Sequence, residues 1–331
     1  MSDEPNWKAG LLRVRAGPAG RAVLALLLVF LLGIVFHADG AFFKIGTHRD
    51  ALRQVSVYGL LACGMCLVII SGGIDLAVGS IVGLVAVCFS LLLVRWGWPA
   101  WLVVPAAVSI GAACGAVSGA LAAFFRIQPF IATLAMMVFA RGLAKSVTAG
   151  EKVSMATLTP ENTIHVPGIV RMVDSRILGG NLSVVTVIFL ACAVVAWVAL
   201  ARLRWGRHLY AIGGNEQAAW LSGIPVRRAK ILAYAASGSL AAMAGICQAA
   251  QEQQGDPEAG FTYELTAIAI VVIGGTNLMG GRGGIGLTLI GTLTIGYLQK
   301  ILSINAVPEA GRLMLTGVII VAAVLTQKRG P

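Results

Sequence analysis

Charged residues are missing from long stretches of this chain. Segments 96–125, 177–201 and 231–251 carry no charged side chain, and 54–94 encloses only Asp75. About 20 consecutive apolar residues suffice to cross the hydrocarbon of a bilayer as a helix. The alternation of such runs with glycine, proline and charge clusters predicts ten transmembrane helices. They are placed near 21–37, 55–71, 76–94, 99–124, 128–147, 181–202, 230–249, 264–280, 284–303 and 309–326. A separate interfacial helix is expected over 47–54.

Composition supports the same class. Of 331 residues, 58% are hydrophobic and 12% charged, where a soluble domain has about 25% charged. The expected fold is an all-α integral membrane bundle, with residues 1–331 forming one domain. The apolar run 22–36 has no small-residue cleavage site, so it is read as an uncleaved first span and not as a signal peptide.

Charge asymmetry predicts orientation. Segment 201–230 holds six basic residues and one acidic residue, Glu216; segment 250–264 holds four acidic residues and no basic one. Basic loops remain cytoplasmic, so the loop 204–229 is placed inside and 250–264 outside. Ten spans then put the basic tail 1–20 and Lys328-Arg329 inside, and the loop 148–180 outside. Lys44, Arg49 and Arg53 fall outside under this scheme and run against the rule. The net charge of +11 sits at span ends and not on a basic face interleaved with aromatics, which argues against nucleic acid.

Few residues could carry chemistry. The six cysteines lie in apolar runs, and Cys63-Gly-Met-Cys66 reads as small residues at a packing face, not as a redox or metal site. Gly281-Arg-Gly283-Gly284-Ile-Gly286 has the spacing of a dinucleotide fingerprint. It lacks the acidic residue about twenty positions on that would hold a ribose, so it is read as a tight turn. No phosphate-cradling P-loop sequence is present, and no hydrolase set is recognisable. The glycines of 79–83 and 111–119 have small-xxx-small spacing that lets helices approach closely.

Asp75 is different, because an ion among some forty uncharged residues must face protein or water. It follows Ser71-Gly72-Gly73, which loosens the helix. Two roles compete: capping a helix that starts at Leu76, or contact with a transported solute. The polar segment 213–224 also stands out, since a helix is expected near 215–222 inside the basic loop.

Several ordered motifs resemble one family. They are Ser71-Gly-Gly-Ile-Asp75-Leu-Ala-Val-Gly79-Ser80, Gln128-Pro-Phe-Ile-Ala-Thr133-Leu, Ala140-Arg141-Gly142, Tyr210-Ala-Ile-Gly-Gly214-Asn215-Glu216-Gln-Ala218-Ala219-Trp-Leu-Ser-Gly223-Ile224 and Ala267-Ile-Ala-Ile-Val-Val-Ile-Gly274-Gly275-Thr276-Asn-Leu-Met-Gly280-Gly281. From about 55 to 326 the chain resembles permease subunits of bacterial ABC importers for ribose, xylose, arabinose and related sugars or polyols. Thr266 and Gln299-Lys300 depart from the family pattern.

The resemblance implies a bacterial inner-membrane transport subunit without cofactor, metal or catalytic residues of its own. It implies a second permease copy, cytoplasmic ATPase subunits that hydrolyse ATP, and an external sugar-binding protein. The ATPase-coupling loop would use Gly214, Asn215, Glu216, Ala218, Ala219, Leu221, Gly223 and Ile224. Small Ala218, Ala219 and Gly223 would allow close seating, Leu221 and Ile224 would anchor, and Glu216 would meet a basic ATPase residue. Ser71, Asp75 and Thr133 would be structural or line the pathway. The alternative is a secondary, ion-coupled transporter, for which only Asp75 offers a mid-membrane ion ligand.

Overall fold

The computed structural model describes residues 17–158 and 163–326. The expected tail 1–20 lies almost wholly outside the described residues, and Lys328-Arg329 lies wholly outside. Helix α1 is Pro18–Val35, followed by a 3-10 turn, Ala41–Phe43. Then come α2, Ile45–Ile70, and α3, Val78–Ser90, which runs on as a π turn, Leu91–Arg95. Next are α4, Ala100–Phe124, α5, Pro129–Thr148, the short α6, Gly168–Asp174, and α7, Val184–Ala201. Two short helices follow, α8, Arg204–Gly214, and α9, Glu216–Leu221. The chain continues with α10, Val226–Glu252, α11, Tyr263–Ile273, α12, Ile285–Ile304, and α13, Glu309–Thr326. Strands among the described residues are two-residue antiparallel pairs: Val153–Ser154 with Gln254–Gly255, Thr157–Leu158 with Ile164–His165, and Arg176–Ile177 with Leu182–Ser183.

Seven of these segments are long and apolar enough to cross a membrane: α2, α3 with its π turn, α4, α5, α7, α10 and α12. Their burial is uneven. The most apolar window of α2 is 83% buried and that of α4 only 22%, so α2 is a core helix and α4 presents most of its surface outward. Helix α10 makes the most extensive contacts, against α4, α2 and α3. Its approach to α4 is backbone-close, since a Cβ on Gly115 would lie 2.0 Å from the Tyr234 carbonyl oxygen. The small residues of 111–119 thus serve a packing face in the way such spacing permits.

The two ends of the bundle are distinct. Helix α10 extends about 40 Å at roughly 1.5 Å per residue. It begins beside α9 and ends against the 153–154 and 254–255 pairing. No separate helix forms over 47–54; α2 simply starts at Ile45. Two of the charges there are answered across the fold: Arg53 pairs with Asp174, and Asp50 with Arg176 at 2.7 Å. Charge alternation alone therefore misjudged where this helix begins.

Two stretches depart from helix inside the bundle. Residues 71–77 separate α2 from α3, with Gly72 at φ +81°. Residues 253–262 return from the end of α10 to α11, with Gln253, Gly260 and Thr262 all at positive φ. The span expected at 264–280 shortens to an eleven-residue helix, about 16 Å long, which ends at Gly274-Gly275. The irregular stretch 253–262 leads into it.

The two stretches meet. A Cβ on Gly79 would lie 2.3 Å from the Gly260 carbonyl oxygen. Glycines 79 and 83 therefore admit irregular backbone and not a neighbouring helix. Backbone carbonyls away from water need partners, and Arg141 of α5 supplies them. Its Nη1 donates to the carbonyls of Pro257 at 2.5 Å and Ala259 at 2.8 Å, and its Nη2 to that of Gly79 at 3.5 Å.

Arg141→Leu strands the Pro257 and Ala259 carbonyls and is expected to destabilise the protein by about 2–6 kcal/mol, at roughly 1–3 kcal/mol for each stranded group. Arg141→Lys should fall between. Thermal unfolding of the purified protein in detergent reads this, and a leucine variant melting with the parent would contradict it.

Candidate functional site

Asp75 is fully buried in the 71–77 break. Its Oδ1 accepts from the Ala77 backbone N–H at 3.1 Å, and its Oδ2 accepts from Ser237 Oγ of α10 at 2.8 Å. Helix α3 starts at Val78, two residues later than expected, so Asp75 closes a turn ahead of the helix and does not occupy its cap position. Ser71 Oγ donates to the Val68 carbonyl at 2.8 Å, sealing the end of α2. Thr133 Oγ1 donates to the Ile74 carbonyl at 3.2 Å, which ties α5 to the same break. The predicted residues Ser71, Asp75 and Thr133 therefore come together around one irregular turn. Sequence reading missed Ser237 and Tyr234, which complete its lining; the Tyr234 hydroxyl lies where a Cβ on Gly73 would fall, at 2.2 Å.

The basic loop is more structured than the single helix expected of it. Helix α8 is amphipathic, burying Leu209 and Ile212, three residues apart, while its arginines face outward. Trp205 Nε1 donates to the Ala229 carbonyl at 3.1 Å, and Tyr210 OH donates to the Gly283 carbonyl at 2.8 Å. Asn215 caps α9, its Oδ1 accepting from the Ala218 N–H at 2.9 Å. This is the usual N-cap solution to an orphan donor.

Not every predicted loop residue faces a partner. Glu216 bonds within the chain, to Lys230 Nζ at 2.6 Å. Lys230 is buried, so this carboxylate neutralises an otherwise unpaired ammonium. Ala219 is buried against the bundle, and Ile224 is half-buried against the core. Gly214, Ala218, Leu221 and Gly223 remain exposed. Leu221 is 71% exposed and its neighbour Trp220, not singled out beforehand, 67%. Met279, on the turn 274–284, is also exposed. Two large apolar side chains are thus left exposed on a short, capped helix whose one charged residue is Glu216.

The loop meets the bundle through glycine. A Cβ on Gly213, at the end of α8, would lie 1.9 Å from the Ile70 carbonyl oxygen and 2.5 Å from the Gly281 nitrogen. Gly280 would collide with both Gly213 and Gly72 at 3.0 Å. The Gly281 N–H donates to the Ile70 carbonyl at 3.0 Å. Three backbones, from the end of α2, the end of α8 and the turn before α12, thus touch without intervening side chains. The G-x-G-x-x-G spacing runs from this turn into the start of α12, and the apolar run before it is helix α11.

Comparison with known proteins agrees with this picture of a multi-pass membrane protein. Residues 49–324 match the family described as branched-chain amino acid transport system / permease component. The chain is 40% identical over 93% of its length to the ribose import permease protein RbsC of Escherichia coli (strain K12), covering 93% of that protein. It is 34% identical to the fructose import permease protein FruG of Bifidobacterium longum (strain NCC 2705), over 92% of this chain and 90% of the relative. It is 30% identical to the xylose transport system permease protein XylH of Escherichia coli (strain K12), over 91% and 90%. No solved structure matches the chain. With most of its length matched by the family and by these relatives, the chain belongs to the branched-chain amino acid transport system / permease component family, alongside sugar import permeases.

Proposed function

We propose that this chain is the membrane-spanning permease subunit of an ABC importer that carries a sugar or polyol into the cell. Its relatives support a sugar as cargo, since they are permeases for ribose, fructose and xylose. The observation that carries the energy-coupling part of the reading is α9. It is a capped helix that holds Trp220 and Leu221 out and is tied by α8 to the break at 71–77. An apolar helix face seated in a groove is a standard recognition mode, and the occupant proposed here is a cytoplasmic ATPase subunit.

In this reading the chain crosses the membrane ten times, the shorter helices included, with both termini and the loop 204–229 inside. The loop 148–180 and the segment 253–256 face outward, where a solute-binding protein delivers its cargo. A second permease copy completes the pathway. ATP closure on the partner subunits moves α9, and the backbone contacts at Gly213 pass that displacement to α2 and to the turn 274–284. Alternating access follows when the irregular stretches 71–77 and 253–262 shift against each other. The chain hydrolyses nothing itself. An ion-coupled carrier finds no support in the relatives, and Asp75 is engaged by Ser237 and Ala77.

Two expectations test this. The first concerns docking. Gly223 sits at φ +79° with open space around it, so Gly223→Trp adds backbone strain of about 1–2 kcal/mol and places bulk in the docking face. With Trp220→Ala, which removes an anchor, it should lower both ATPase co-purification and ATP-driven uptake in vesicles at normal permease levels. Full recovery of both in either variant would mean that another surface docks the ATPase. Uptake driven by a proton gradient without ATP would overturn the reading as a whole.

The second concerns Asp75. Asp75→Asn keeps an acceptor for Ala77 N–H and should retain much of the uptake, whereas Asp75→Leu strands Ser237 and the amide and should lose membrane-inserted protein. An asparagine variant that assembles normally yet transports nothing would instead make the carboxylate charge itself essential.

A further inference from the structure

At the end of the bundle opposite α8 and α9, a cavity of about 390 Å³ opens between α2, α10, α11, α12 and α13. That size falls within the roughly 300–1,000 Å³ of small-molecule sites. Its wall differs in kind from the surrounding spans. Four side-chain amides line it, from Gln54, Gln248, Gln251 and Gln299. Tyr58 and Tyr263 pack against each other in the same wall, with ring centroids 4.6 Å apart.

The polar groups there are incompletely used. Five buried side-chain atoms lack a hydrogen-bond partner among the described residues, and three line this cavity: Arg53 Nε, Gln251 Nε2 and Arg312 Nε. Buried polar atoms are otherwise nearly always paired. All three are N–H donors, so the chemistry they lack is an acceptor oxygen. An apolar solute would leave them unpaired and be rejected.

Charge narrows the class further. Arg53 is answered by Asp174, and the second cation, Arg312, shares the wall with Glu252. Glu252 accepts a hydrogen bond from the Gln248 amide. Cations and carboxylates are balanced, which favours a neutral solute over a carboxylate or phosphate. Neutral, rich in oxygen and able to lie against an aromatic ring describes a polyhydroxylated molecule.

We propose that this cavity is a binding site, within a single subunit, for a free monosaccharide or polyol between the outer face and the break at 71–77. The site rests on the import reading above. Glu252 and Tyr263 flank the irregular stretch 253–262, so the cavity borders the segment that Arg141 holds.

Two measurements on the permease–ATPase complex test it. Ser303 is exposed and lines the cavity, so Ser303→Cys places a thiol there without disturbing the core. In the absence of any binding protein, millimolar D-ribose, D-xylose or D-fructose should slow its alkylation by a membrane-impermeant maleimide severalfold. Glycine betaine should not, and adding Gln251→Ala should abolish the protection. In vesicles with saturating loaded binding protein, Gln251→Ala should cut the maximal uptake rate about tenfold, the worth of one lost hydroxyl contact, with ATPase recovery unchanged. A complex that imports these sugars, shows no protection and tolerates Gln251→Ala would overturn the site while leaving the import reading intact. A parent complex that imports no monosaccharide or polyol at all would overturn both.

Discussion

The structure depends on a place where three stretches of backbone touch. At Gly213 the end of α8 lies against the last carbonyl of α2 and the amide of Gly281, closer than any Cβ allows. Contacts between side chains can yield by rotating; contacts between backbones cannot, because packed protein has little free volume. In the proposed mechanism a displacement of α8 would therefore reach α2 and the 274–284 turn directly. Tyr210 adds a second tie to that turn through Gly283, and the Glu216–Lys230 pair holds α9 to the start of α10.

What those contacts reach is irregular chain inside the bundle. Non-helical backbone at membrane depth survives only where protein satisfies it. Here Asp75, held by Ser237 of α10, and Thr133 of α5 do so for the stretch 71–77, and Arg141 of α5 does so for 253–262. Such stretches have fewer internal restraints than a helix and are where a span can bend. Their meeting at Gly79 and Gly260 joins the start of α3 to the stretch between α10 and α11. A movement beginning at α9 and a solute arriving from the opposite end would act on the same pair of breaks.

Much of this was legible in the sequence, for identifiable reasons. Long uncharged runs located the helices, and the Gly-Asn-Glu segment located α9, because both are local properties. The start of α2 was not legible, since Arg49, Asp50 and Arg53 interrupt the hydropathy; ion pairs with Asp174 and Arg176 answer Arg53 and Asp50 in the fold. The shortening of α11 was hidden because residues 265–280 carry no charge, and an uncharged run does not distinguish helix from the turn that begins at 274–275. The partners of Glu216 and Asp75 lie 14 and 162 residues away, beyond any local pattern. Ala219 was expected to face a partner, but its inward side follows from how α9 sits on the bundle.

The central claim, that the glycine contact carries motion from α9 to the breaks, is tested most directly by Gly213→Ala in the reconstituted complex. The measurement is solute imported per ATP hydrolysed. The account predicts that the ATPase still binds through Trp220 and Leu221 and still hydrolyses ATP, while the import ratio collapses. An assembled Gly213→Ala complex with the parent's ratio would contradict it.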